Sequence, residues 1–136
     1  MKDYNKLTIS GKRKTAIAKA TITNGNGNVL INNIPKENLD FFKKLSIEEP
    51  IEIFKKNNGN FKFDIRVNVK GGGSESRIEA SRLAISRALI EFTKDKNLKK
   101  SLSDYDKNLL VADIRRKEAY KPGDSKARRK RQKSFR

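Results

Sequence analysis

A ten-residue alternation of apolar and polar side chains is the feature that most constrains the fold. From residue 61 to residue 70 the apolar side chains occupy every second position: Phe61, Phe63, Ile65, Val67 and Val69. Polar or charged residues fill the positions between them. This period-2 pattern predicts a strand with one buried and one solvated face. The chain must therefore also supply a layer that covers one side of a sheet.

The predicted cover follows the strand directly. Gly71, Gly72 and Gly73 end the alternation, and Ser76 and Glu79 have the spacing of a capping box. A helical pattern then extends to about Lys94. It has a main apolar stripe (Ile78, Ile85, Ala88, Leu89, Phe92) and a smaller one (Leu83, Ile90). Two stripes predict a helix that packs on the sheet and touches one further element.

A hairpin is predicted in the N-terminal third. Residues 15–23 alternate in the manner of a strand, residues 24–27 (NGNG) have turn chemistry, and residues 29–31 form a second short apolar run. Short helices are predicted over residues 36–42 and 98–102. Pro50 is expected to interrupt the stretch between them, and residues 51–56 fit either a helix or a strand. Strands, a helical middle, a strand and a long helix together predict an α+β domain.

The C-terminal segment has a different composition from the rest. Residues 115–136 contain 11 Lys and Arg against 2 acids, whereas residues 1–114 contain 22 bases and 14 acids. Like charges with few apolar side chains cannot offset the entropy of ordering. We therefore predict a globular domain over residues 1–114 and an extended basic tail over residues 115–136. The tail alone is also typical of a solubilising or nuclear-targeting run.

Composition restricts the possible functions. The formal charge of +17 favours nucleic acid or an anionic membrane surface as partner. No apolar stretch approaches the roughly 20 residues of a membrane span, and no secretory signal is visible, so a cytosolic protein is expected. Cysteine and histidine are absent. The commonest general base and metal ligand are thus missing, which disfavours an enzyme.

Two segments are candidates for contact with phosphates. Lys12, Arg13 and Lys14 follow Gly11, and a run of three charges is often an ordinary solvated loop. The predicted sheet also carries basic residues on its polar face (Lys19, Lys62, Arg66, Lys70), so a shared basic surface for RNA is the alternative interpretation. Residues 71–73 could let a backbone approach closely. They lack the spacing of a nucleotide-binding loop, and a tight turn is the simpler interpretation. For the carboxylates Glu48, Glu49 and Glu52, surface pairing with nearby lysines is preferred to a catalytic role.

Three segments together resemble the universal small-subunit ribosomal protein nine family. Residues 71–89 (GGGSESRIEASRLAISRAL) are similar to the family signature, and residues 11–16 (GKRKTA) to its opening G-x-R-K-x-A strand. Residues 113–123 and the arginine-rich run resemble its exit from the domain. Arg77 stands where the family usually has glutamine, so a contact attributed to that glutamine does not carry over. The ending QKSFR is closer to the archaeal and eukaryotic branch than to the bacterial S-K-R ending.

The resemblance implies a small four-stranded mixed sheet covered by helices, like the second domain of small-subunit ribosomal protein five. It implies a structural protein without cofactors, metal or small-molecule substrate, in the cytoplasmic ribosome. The implied partners are ribosomal RNA, other proteins of the small-subunit head and the transfer RNA in the peptidyl site, with no membrane.

Charge clustering and the resemblance together assign residues to each RNA. Those expected on ribosomal RNA are Lys12, Arg13, Lys14, Arg77, Arg115, Arg116, Lys117, Lys121, Lys126, Arg128, Arg129, Lys130 and Arg131. Those expected on transfer RNA are Lys133, Phe135 and Arg136. An RNA-processing protein subunit on a related fold is the main alternative. A DNA-binding protein is disfavoured because no recognition-helix or zinc-finger pattern is present.

Overall fold

Five strands form one mixed sheet in a computed structural model that describes residues 6–120 and residue 127. The strands are β1 (Lys6–Arg13), β2 (Ala16–Asn24), β3 (Val29–Ile31), β4 (Ile34–Pro35) and β5 (Phe63–Lys70), in the spatial order β1-β2-β5-β3-β4. Neighbouring strands are antiparallel except β3 and β5, which are parallel. The α+β class is confirmed, whereas the predicted number of four strands is wrong.

Three helices complete the described fold: α1 (Phe41–Asn58), α2 (Ser74–Thr93) and α3 (Lys96–Tyr105). Helix α2 packs across β1, β2 and β5, while α1 packs against α2 and α3. The buried side of β2 consists of Ala16, Ala18, Ala20 and Ile22. These side chains are mostly small, which lets the helix lie close to the sheet. No helix within residues 6–120 is long and apolar enough to span a membrane.

Helix α2 approaches the sheet closely at Gly11 of β1. A Cβ atom placed on Gly11 would lie 2.6 Å from the carbonyl oxygen of Ala80 and 2.7 Å from the amide nitrogen of Ala84. Both atoms belong to the backbone of α2, so neither can rotate away. The close contact between β1 and α2 therefore requires glycine at position 11.

The opposite face of the sheet is not covered by these helices. Its alternating positions are exposed, as predicted for β5, and include Lys12, Ile17, Lys19, Arg66, Asn68 and Lys70. The strand register places Lys12 beside Ile17, and Ile17 beside Lys70. We call this surface the open face.

The predicted hairpin of residues 15–31 is wrong, because β5 lies between β2 and β3. The intervening loop instead folds around the Asp64 carboxylate. One oxygen of that carboxylate accepts hydrogen bonds from the amides of Asn26, Gly27 and Asn28 at 3.0, 3.2 and 3.0 Å. These amides, led by that of Asn28, hold the pKa of Asp64 below its ordinary value.

The helix boundaries also differ from several predictions. Pro50 lies inside α1 and is buried with Ile47, Ile51 and Phe54, so burial of this face offsets the lost backbone hydrogen bond. Residues 51–56 are therefore helical. The predicted helix over residues 36–42 is a 3₁₀ turn at Lys36–Asn38, followed by the start of α1.

The capping box is wrong, whereas the last predicted helix is confirmed. Gly73 is the N-cap of α2 and makes no side-chain cap bond, so Ser76 and Glu79 both lie inside the helix. The pattern over residues 98–102 corresponds to the middle of α3.

Substitution of Gly11 tests the close contact with α2. We expect Gly11→Ser to lower the free energy of unfolding by about 1–3 kcal/mol, because the strand and helix backbones must separate. The matched control is Gly73→Ser. An added Cβ there meets nothing within 4 Å, and serine is favoured at an N-cap. Urea unfolding followed by circular dichroism measures both; equal midpoints for Gly11→Ser and the wild type would contradict the requirement.

Candidate nucleic-acid interface

The turn between β1 and β2 carries the first group of predicted cations. Arg13 and Ala16 form the last pair of the two strands, so Lys14 and Thr15 make a two-residue turn. Lys14 has a φ of 53°, in the left-handed region, and both turn residues are exposed. The tight turn therefore presents Lys14 at the end of the sheet.

The glycine loop packs directly against this turn. A Cβ atom on Gly71 would lie 2.5 Å from the carbonyl oxygen of Thr15, and Gly71 has a φ of 78°. Arg77, in the first turn of α2, donates a hydrogen bond from Nε to the Gly71 carbonyl at 3.0 Å. Residues 71–73 thus form a tight turn, and Arg77 fastens it while its side chain stays at the surface.

Arg13 points to the other side of the sheet from Lys12. Its Nε donates to the Glu79 carboxylate at 2.6 Å, and its Nη2 lies 3.5 Å from the Asp113 carboxylate. Only 13% of the Arg13 side chain is exposed. These contacts give Arg13 a structural role inside the domain, and its contact with RNA stays a prediction.

The chain that leaves the domain is held at the same place. The Asp113 carboxylate accepts hydrogen bonds from the amide of Arg115 at 3.0 Å and from its guanidinium at 2.8–3.1 Å. These bonds hold the pKa of Asp113 far below its ordinary range. The Arg115 side chain is nonetheless 81% exposed. We call Arg13, Glu79, Asp113 and Arg115 the exit network.

A recess of about 640 Å³ forms where the β1–β2 turn meets this exit. Its lining residues are Arg13, Lys14, Thr15, Arg115, Arg116 and Lys117. Among the described residues that line it there is no carboxylate. Lys117 also lies over the ring of Tyr120, with Nζ 4.5 Å from the ring centroid. A concave surface lined by cations and lacking acids is suited to phosphate groups.

The open face contributes a second basic groove beside the recess. It is lined by Thr15, Ile17, Lys19, Asn32, Asn68, Val69, Lys70 and Gly71. Lys19 and Lys70 were recognised as part of a basic surface but were not assigned to the site. The exposed Ile17 between Lys12 and Lys70 had no sequence signal, because an isoleucine in an alternating strand is expected to be buried.

The predicted residues are thus only partly brought together. The predicted residues that line the recess are Arg13, Lys14, Arg115, Arg116 and Lys117. Lys12 lies on the open face, and Arg77 lies at the adjoining glycine loop. The other predicted contacts lie outside the described residues: Lys121, Lys126, Arg128, Arg129, Lys130, Arg131, Lys133, Phe135 and Arg136.

Sequence analysis missed the residues that position these cations. Glu79 and Asp113 hold Arg13, and Arg87 donates from Nε to the Leu110 carbonyl at 3.0 Å and from Nη1 to the Ser10 carbonyl at 3.3 Å. Arg87 therefore joins β1, α2 and the segment before the exit network. Nothing local in the sequence marks these contacts, since their partners are far apart along the chain.

Comparison with known proteins extends over the whole chain. A family model described as ribosomal protein S9/S16 matches residues 11–136. The small ribosomal subunit protein uS9 of Picrophilus torridus is 43% identical over 138 residues, which cover 100% of both chains. That of Desulfurococcus amylolyticus is 44% identical, covering 100% of this chain and 97% of the relative. That of Methanococcus vannielii is 43% identical, covering 93% and 95%. These archaeal relatives agree with the predicted branch.

Neighbouring residues of the turn should respond differently to truncation. We expect Arg13→Ala to lower the free energy of unfolding by about 1–3 kcal/mol, because the substitution removes the charged hydrogen bond to Glu79 and the ion pair with Asp113. Lys14→Ala should change it by less than about 0.5 kcal/mol, since Lys14 is exposed. Urea unfolding of the two variants makes the comparison. Equal losses would contradict the division between an internal Arg13 and an outward Lys14.

Proposed function

The chain belongs to the ribosomal protein S9/S16 family, and we propose that it is a structural component of the small ribosomal subunit that binds ribosomal RNA in the subunit head. Family membership confirms that it is a ribosomal protein and not an enzyme. The proposal places it in the cytoplasmic ribosome beside other head proteins. The family also favours this function over an RNA-processing subunit.

The recess is the single observation that carries the RNA-binding proposal. Lys14 comes from the N-terminal turn, whereas Arg115, Arg116 and Lys117 come from the C-terminal exit, yet all four line one surface. Elsewhere in the described structure several cations are neutralised by acids, for example Lys43 by Asp40 and Lys55 by Glu52. Within the recess Arg115 is paired with Asp113, but no acid is among the described lining residues beside Lys14, Arg116 and Lys117. RNA phosphates would relieve the repulsion between these neighbouring cations.

The groups in the recess suit backbone contact more than base recognition. A guanidinium presents a planar fork of donors to phosphate oxygens, and Asp113 already orients that of Arg115 while leaving it exposed. Phosphate contacts fix the position of a protein on RNA without reading the bases. We propose that this recess, the adjoining Lys12 and Arg77, and the basic residues 121–131 of the tail follow the ribosomal RNA backbone.

The end of the tail has a separate proposed partner. Residues 115–136 carry a net charge of +9 and, fully extended, could reach roughly 70 Å at about 3.3 Å per residue. The tail begins at the exit network, so it starts from the recess. We propose that Lys133, Phe135 and Arg136 contact the anticodon stem-loop of the transfer RNA in the peptidyl site. Backbone contacts of this kind suit a protein that holds every transfer RNA alike.

Removal of three recess cations tests the ribosomal RNA contact. One triple variant carries Lys14→Gln, Arg116→Gln and Lys117→Gln together. We expect its slope of log affinity against log salt to be shallower than that of the wild type by about 2–3. Each lost phosphate contact contributes roughly 0.7–0.9 to that slope. The measurement is filter binding of a transcript of the small-subunit head RNA over a range of salt concentrations.

The control removes the same charge from the helices. Lys56, Lys96 and Lys100 are exposed on α1 and α3 and do not line the recess. Replacing these three with Gln should change the slope by much less. Equal slopes for the two triple variants would mean that binding follows net charge alone, and the recess would lose its proposed role.

Deletion of the last four residues tests the transfer RNA contact. We expect small subunits containing a chain that ends at Gln132 to assemble normally, because the domain and the remaining tail cations are retained. Their affinity for transfer RNA in the peptidyl site should fall, since Lys133, Phe135 and Arg136 are lost. Sedimentation measures assembly, and filter binding of transfer RNA measures affinity. Unchanged affinity in fully assembled subunits would refute the role of the tail end.

A further inference from the structure

The first turns of α1 expose three large apolar side chains on one side of the molecule. Phe41, Phe42 and Leu45 are 68%, 79% and 44% exposed. The two rings meet edge to face, with centroids 5.4 Å apart, and Leu45 lies one turn further along the helix. We call these three residues the aromatic patch. Exposed single hydrophobic residues are common, but an adjoining aromatic pair is typical of an interface.

The position of the patch contrasts with that of other phenylalanines. Phe54, Phe61, Phe63 and Phe92 pack edge to face with centroids 5.3–5.8 Å apart, beneath the sheet. The core can therefore accommodate aromatic rings, yet Phe41 and Phe42 remain outside it. Burial of these two rings would contribute favourable free energy that the exposed rings do not supply. A partner surface that covers them would provide this burial.

The patch lies on a helix whose later turns are packed into the domain. Helix α1 buries Ile47, Pro50, Ile51 and Phe54, and Glu49 is paired with Arg82 of α2. A partner that binds the patch would not need to order this helix first. Such a preorganised aromatic pair loses little conformational entropy on binding.

The charge around the patch identifies the class of partner. Residues 34–49 contain three lysines and four acids, in a chain with a formal charge of +17. Lys43 lies 3.2 Å from Asp40, and Lys36 lies 3.4 Å from Glu48. This surface has no excess positive charge to attract RNA, whereas the recess is lined by several cations. We propose that the aromatic patch docks into an apolar pocket of a neighbouring protein whose rim is neutral or basic.

This proposal rests on the proposed function, because the neighbouring protein is another component of the same small subunit. It adds a second binding surface, distinct from the recess, since none of the patch residues lines the recess. One surface would bind RNA and the other a protein, so the chain would join the two kinds of component in the subunit head.

Photo-crosslinking in assembled subunits tests the proposal. The chain carries p-benzoylphenylalanine in place of Phe42, and a control chain carries it in place of the exposed Tyr105 at the end of α3. After irradiation of purified small subunits, we expect position 42 to link to one protein, giving a band that resists ribonuclease and disappears with protease. The control should give at least tenfold less of that product.

The possible failures are distinguishable. Chains that do not sediment with small subunits would contradict the proposed function and the docking together. Chains that do sediment, but whose position 42 links to RNA or to nothing, would overturn the docking alone. The proposed ribosomal function would then stand.

A competition experiment measures the strength of the contact. Equal amounts of wild-type and Phe42→Ser chains are offered during assembly, and their ratio in purified subunits is determined by mass spectrometry. We expect the variant to be depleted about tenfold, since removing an interface aromatic often costs 1.4 kcal/mol or more. Tyr105→Ser should be incorporated at a ratio near one. Equal incorporation of Phe42→Ser would refute the docking; a urea midpoint equal to that of the wild type excludes misfolding as the cause of depletion.

Discussion

The contact between the backbones of β1 and α2 at Gly11 determines the geometry on which the interface depends. Without a side chain at this position, the Ala80 and Ala84 backbone lies directly on the strand. The first turns of α2 therefore reach the end of the sheet, where Glu79 meets Arg13. The glycine loop that precedes α2 is brought against Thr15 by the same approach. A wider spacing would separate Glu79 from Arg13 and would open the turn that presents Lys14.

The exit network fixes the point at which the chain leaves the domain. Asp113 is shared by Arg13, which lies inside, and Arg115, which lies at the surface. A carboxylate between two guanidiniums stabilises both charges and fixes the segment that carries it. Arg87 secures the preceding residues through the Leu110 carbonyl. Residue 115 is therefore held at a defined point of the domain, where the proposed tail would begin.

The sequence predicted those parts of the fold that depend on local periodicity. The alternation of residues 61–70 was correctly interpreted as a strand, although the strand begins only at Phe63. The apolar stripes of α2 were also correctly interpreted, because both patterns follow from one buried face. The order of the strands was not predicted correctly, because β5 pairs with β2 and β3 through contacts that are distant in sequence. For the same reason Glu79 looked like half of a capping box, whereas its carboxylate pairs with Arg13, 66 residues earlier. For the candidate site, too, only the local pattern was predictable. The basic segments were recognised from the sequence, but only the fold distinguishes the internal Arg13 from the outward Lys14.

The uneven distribution of charge has a consequence for assembly. A protein with 33 basic residues spread evenly over its surface would bind RNA in many orientations with similar affinity. Here no acid is among the described residues that line the recess, although Arg13 and Arg115 are paired with Glu79 and Asp113 next to it. Near the aromatic patch, by contrast, Lys36 and Lys43 are each paired with a carboxylate. Under the proposed function, long-range attraction to RNA would therefore favour approach by the recess and by the basic residues 115–136. Salt weakens that attraction, but it does not weaken an apolar contact in the same way. The proposed docking of the aromatic patch would therefore retain, in the finished subunit, an orientation that charge selects during encounter.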